Sequence, residues 1–115
     1  MSEYLNPTTR DFTVAWSQVD GTWRMTLSGS LDAESAPELT QEFETTSASG
    51  RTEFDLDLRA IGMISSAGVG SLIAGVGEVR DGGGTVRVVA VSDPVQHVFG
   101  LLGLLDYLEC PTSPV

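Results

Sequence analysis

Two strand-like runs separated by a helical stretch set the tightest limit on what this chain can fold into. Phe54, Leu56 and Leu58 alternate with Glu53, Asp55, Asp57 and Arg59, the period of two of a β-strand. Val86, Val88, Val89 and Val91 make a β-branched, nearly continuous apolar run, as an interior strand does. Between them, Val69, Leu72, Ile73, Val76 and Val79 fall on one face of a helix from about Ser66 to Arg80. Strand, helix and strand in that order require a crossover connection within one sheet.

The flanking segments extend this pattern. Phe12, Val14 and Trp16 alternate with polar or small residues, as do Trp23, Met25 and Leu27, and Asp20-Gly21 lies between the two runs. Alternation around an Asp-Gly pair predicts a β-hairpin. Ser35-Ala36-Pro37-Glu38 has the form of a capping box, with Ala36, Leu39 and Phe43 following at helical spacing, so a helix is expected from about 36 to 46. Asp81 to Gly84 ends the second helix. Ser92-Asp93-Pro94 starts a third, continued by Val95, Val98, Phe99 and Leu102. The expected fold is α/β, order β-β-α-β-α-β-α: a mixed β-sheet with helices packed mainly on one face. The chain of 115 residues is read as a single domain, 1–115, with a core over about 12–108 and frayed termini.

Composition excludes several functions. All six basic residues are arginine, and the formal net charge is −10. Without lysine there is no Schiff base and no P-loop lysine. The acidic balance opposes nucleic acid and anionic membrane surfaces. One cysteine and one histidine provide no metal cluster, and a lone Cys110 reads as an inert thiol in a reducing, cytoplasmic setting. No apolar run spans a membrane, and the polar N-terminus lacks the basic region of a signal peptide. No nucleophile–base pair stands out, so neither a catalytic residue nor a cofactor is expected.

The candidate site is the strand-to-helix junction Ile64-Ser65-Ser66-Ala67-Gly68-Val69-Gly70. A helix start offers unpaired N–H groups and partial positive charge, which tolerate a phosphate on an adjacent serine. Plain helix capping by Ser65 or Ser66 explains the same residues. Gly68, Gly70, Gly75 and Gly77 burden a helix, so close packing against the sheet or a partner is expected of it. They match neither G-x-G-x-x-G nor a P-loop. Asp32, in Gly29-Ser30-Leu31-Asp32, is a strand-end binding candidate or another cap. Asp55 and Asp57 share one face of their strand, read here as the solvent face of a half-covered or edge strand. His97 is taken as structural.

These elements and motifs together resemble the STAS domain, in the form found in bacterial anti-sigma factor antagonists. The resemblance runs from about Phe12 to Leu108. It rests on Gly29–Asp32, Phe54–Leu58, Ile64–Gly70 and Val98-Phe99-Gly100-Leu101-Leu102-Gly103-Leu104. It implies a cytoplasmic, non-enzymatic partner switch: a protein that binds an anti-sigma factor serine/threonine kinase, releases the sigma factor, and is switched off by phosphorylation at the start of the second helix. A phosphatase resets it. The family pattern Asp-Ser-Ser-Gly-Leu-Gly places Ser65 at the aspartate, Ser66 at the first serine, Ala67 at the phosphoserine, Gly68 at the glycine and Val69 at the leucine. A Ser-Ser-Ala-Gly variant also occurs in the family. Ser66 is therefore the expected phosphosite, with Ser65 the alternative. Ser30, Asp32, Ser65, Ser66, Ala67, Gly68 and Val69 are the expected partner-binding residues. Ala67 also admits a second reading: an unphosphorylated STAS binding module within a larger signalling or lipid-transport assembly.

Overall fold

The computed structural model describes residues 12–108; the expectations for Cys110 and for the chain termini lie outside them. Strands β1 (Thr13–Val19) and β2 (Thr22–Leu31) form the hairpin. Its turn places Asp20 and Gly21 at positive φ, the backbone that favours Asp-Gly at this point. Helix α1 (Ala36–Ala48), strand β3 (Glu53–Ile64), helix α2 (Ser66–Asp81), strand β4 (Thr85–Val91) and helix α3 (Asp93–Leu102) follow. The sheet order is β1-β2-β3-β4, which corrects the interior reading of the valine-rich run: β4 is an edge strand among the described residues. β1 and β2 are antiparallel, whereas β2/β3 and β3/β4 are parallel. The mixed sheet and element order are those read from the sequence.

Strand β3 extends well beyond the expected Leu58. The alternation fades there because the register against β2 shifts twice, between Thr26 and Ser28 and between Gly29 and Ser30. Each shift adds a residue to β3, so its buried positions go from Phe54, Leu56 and Leu58 to Ile61 and Ile64. A bulge displaces the period of two without ending the strand.

One apolar cluster holds the layers together. Met25, Leu27, Leu56 and Leu58 meet Leu39 and Phe43 of α1, Leu72 and Val76 of α2, and Val95 and Phe99 of α3. Burying each of these side chains stabilises the fold by roughly 1.5–3 kcal/mol. Strand positions of opposite parity carry the polar side chains. Asp55 and Asp57 belong to this set, but their strand is interior and both residues are buried, which corrects the solvent-face expectation. Asp55 lies between Arg24 of β2 (3.9 Å) and Arg87 of β4 (3.6 Å). Asp57 pairs with Arg59 at 3.1 Å and also accepts from its backbone N–H at 2.9 Å. The neighbouring arginines account for both carboxylates as charge partners. His97 is exposed on α3.

Candidate functional site

Parallel pairing of β2 with β3 brings two loops side by side. Ser30 registers with Met63 and Leu31 with Ile64, so the loop after β2 and the start of α2 leave the sheet together. Gly29 takes φ +98°, a conformation that L side chains rarely adopt, at the second register shift of β2 against β3. The Ser65 N–H donates to the Leu31 carbonyl at 2.9 Å. Gly68 then packs directly on Leu31: an added Cβ would collide with its carbonyl oxygen and lie 2.8 Å from its Cγ. Close approach of backbone to backbone is why glycine stands at this point of the helix.

Asp32 and Ser35 hold the first loop. The Asp32 carboxylate Oδ1 accepts from the backbone N–H of Glu34 at 3.0 Å and of Ser35 at 3.1 Å. These bonds, that from the Ser35 backbone foremost, hold its carboxyl below the usual aspartate range. The Ser35 hydroxyl donates to the Ser30 carbonyl at 2.7 Å and accepts from the Asp32 N–H at 2.9 Å. The capping box expected of Ser35 and Glu38 is thus replaced. The Ser35 side chain makes no cap bond to α1, and its backbone N–H goes to Asp32. Ser35 is buried and ties the loop together from within a short polar stretch, the one sign of that role in the sequence.

At the start of α2 the two serines differ. Ser65 is the N-cap, half-buried, and its hydroxyl accepts from the Gly68 N–H at 3.4 Å. Ser66 is the first helical residue; its side chain is exposed and makes no hydrogen bond among the described residues. Ala67 is exposed beside it. It lines a shallow, largely apolar groove of about 550 Å³ with Ala33, Ala36 and Pro37 at the start of α1. Val69 is buried in the core, and Gly68 is buried against Leu31. Of the expected partner-binding residues, Asp32, Ser66 and Ala67 therefore face outward in part or in full, whereas Gly68 and Val69 anchor the helix. Ser30 lends its carbonyl to Ser35.

Comparison with known proteins adds to this geometry. The family model described as "Mlab, STAS domain" matches residues 14–109. The chain belongs to the STAS domain family. No curated protein matches it. Among solved structures, an anti-sigma factor antagonist from Mycobacterium paratuberculosis is 26% identical with TM-score 0.74, covering 88% of this chain and 86% of that one. A proposed antagonist from Thermotoga maritima is 19% identical with TM-score 0.76, covering 87% and 86%. The phosphorylated form of the Bacillus cell-fate determinant SpoIIAA is 20% identical with TM-score 0.64, covering 89% and 92%. The latter two share the STAS fold with this chain. Among the described residues, no group of His, Cys, Asp and Glu is placed to hold a metal ion. No helix there is long and apolar enough to cross a membrane.

Proposed function

We propose that this STAS domain is an anti-sigma factor antagonist. It binds an anti-sigma factor serine/threonine kinase through the surface shared by the loop at residues 30–35 and the start of α2, and so frees a sigma factor. It is not itself an enzyme, and it acts in the cytoplasm. Phosphorylation at Ser66 switches it off and a phosphatase resets it. The observation that carries this reading is Ser66 itself: an exposed, unbonded hydroxyl on the first turn of α2, next to Ala67, which shares a groove with the start of α1. Ser65 is the weaker acceptor because its oxygen already caps the helix.

The physical effect follows from charge. A phosphate adds about −1.5 to −2 charges, and the helix N-terminus stabilises such a group. The modified domain therefore stays folded, and the penalty falls on a partner packed over that turn. A loss of about 3 kcal/mol lowers affinity more than 100-fold.

The test is phosphorylation with the cognate kinase and ATP, followed by mapping of the site. Phosphate on Ser66, lost in Ser66→Ala, is the expected result; modification of neither Ser66 nor Ser65 overturns the switch. Ala67 supports a second reading, a binding module with no covalent switch, because the family's phosphoserine position here is a methyl group facing an apolar groove. That reading predicts a partner captured equally well with and without ATP.

A further inference from the structure

A second site lies at the opposite end of the sheet, around Arg51. Its guanidinium carbon is 3.9 Å from the centre of the Trp23 ring and 4.7 Å from that of Trp16. The two indoles meet edge-on, with centroids 6.2 Å apart. The Trp16 ring is itself fixed by a 2.7 Å hydrogen bond from Nε1 to Glu42. Arg51, Trp23, Thr22, Ser49, Thr52 and Glu53 line a pocket of about 560 Å³ between the hairpin turn and the loop before β3.

What sets this arginine apart is its acceptors. Arg24 and Arg87 face Asp55, Arg59 pairs with Asp57, and Arg80 donates to the carbonyls of Tyr107 and Val86. Arg51 has no oxygen partner among the described residues, in a chain with 16 acidic side chains. Its cation is oriented by aromatic rings, which offer no hydrogen-bond acceptor in the ring plane. The guanidinium donors thus remain available in a pocket that Thr22, Ser49 and Thr52 also line. A planar fork of N–H groups fits a two-oxygen anion.

We propose that this pocket binds a small carboxylate ligand, held by the Arg51 guanidinium over the paired tryptophans. A carboxylate is favoured over phosphate because it carries a single charge. Glu53 lines the same pocket and the whole chain is strongly acidic, so each further negative charge on the ligand is opposed. The site is separate from the surface at Ser66 and does not rest on the function proposed for it.

Both tryptophans of the chain lie under Arg51, so the pocket carries its own reporter. The experiment titrates the full chain with sodium acetate, and separately with inorganic phosphate at pH 7.5, at constant ionic strength set with chloride. Indole fluorescence and the tryptophan Nε1–H signals in NMR are read. A saturable response to acetate is expected, with Kd on the order of millimolar for a bidentate pair of charge-assisted hydrogen bonds. Phosphate should bind more weakly. Arg51→Gln should weaken acetate at least about tenfold, and Arg51→Lys, which keeps the charge but loses the fork, should fall between. Circular dichroism checks that each variant is folded. A linear, unsaturable wild-type response, an acetate affinity unchanged in a folded Arg51→Gln, or tighter binding of phosphate than acetate would each overturn the proposal.

Discussion

Gly68→Ala and Gly70→Ala should change stability in opposite directions, although the two residues lie two positions apart on one helix. Replacing glycine by alanine in a helix interior gains up to about 1 kcal/mol of backbone propensity. At Gly70 a Cβ meets nothing within 4 Å, so that gain should appear nearly whole. At Gly68 the new carbon would lie 2.9 Å from the Leu31 carbonyl carbon and nearer still to its oxygen, where ordinary contacts start at 3.4 Å. The obstacle is backbone, pinned by the parallel register and by the 2.9 Å bond from Ser65. Overpacking of this kind costs about 1–3 kcal/mol. At the middle of that range, subtracting the propensity gain leaves Gly68→Ala destabilised by about 1 kcal/mol, and the two variants should differ by about 2 kcal/mol. At about 4–8 °C per kcal/mol for a domain near this size, thermal melting resolves the difference, and urea midpoints check it. A Gly68→Ala protein as stable as wild type would refute the close approach as the reason for this glycine. Destabilisation by Gly70→Ala would show that the open side of α2 is covered.

Three further outcomes follow from the same contacts. Asp32 has a depressed pKa, so its bonds to Glu34 and Ser35 stabilise the fold above the unfolded aspartate value of about 3.9 and lose that effect as pH falls through the lower folded value. The stability gap between wild type and Asp32→Asn should therefore be constant above about pH 5 and shrink below about pH 4; acid titration of the melting temperature showing a constant or widening gap would contradict this. Val69→Asp places a carboxylate in the core, forfeits roughly 1.5–3 kcal/mol of apolar burial and adds an unpaired charge. It should be largely unfolded by circular dichroism, so any loss of partner binding would report the fold and not the interface; a normal melt would move Val69 to the surface. Asp57→Ala removes the acceptor of the Arg59 backbone N–H and should cost about 1–3 kcal/mol in urea unfolding, and a change below about 0.5 kcal/mol would show that water replaces the carboxylate.

The amount legible in the sequence varied with how local the cause was. The Asp-Gly turn, the Ser92 cap of α3 and the apolar faces of the helices depend on neighbours a few residues away, and each stands where the pattern placed it. The length of β3 did not show, because two register shifts against β2 broke the alternation that would have marked it. At the candidate site, the residues alone left open whether Ser65 or Ser66 caps the helix. The structure separates them, one spent on the Gly68 N–H and the other free on the surface. The Ser35 side chain left its expected capping role for a similar reason. Whether a serine caps a helix or closes a loop depends on where the chain enters the helix, and here Ser35 donates to the Ser30 carbonyl.

The sequence by itself determined the element order, the mixed sheet and the absence of lysine chemistry, since periodicity and composition act residue by residue. Only the tertiary structure decided which of the four glycines in α2 is indispensable, because steric fit depends on what lies across the contact: Leu31 at Gly68, the Phe43 ring at Gly75, nothing within 4 Å at Gly70 and only the Tyr107 hydroxyl at 3.7 Å from Gly77. The placing of Arg51 over Trp16 and Trp23 was likewise hidden. Those three residues come from β1, β2 and the loop before β3, and only the folded sheet brings them together.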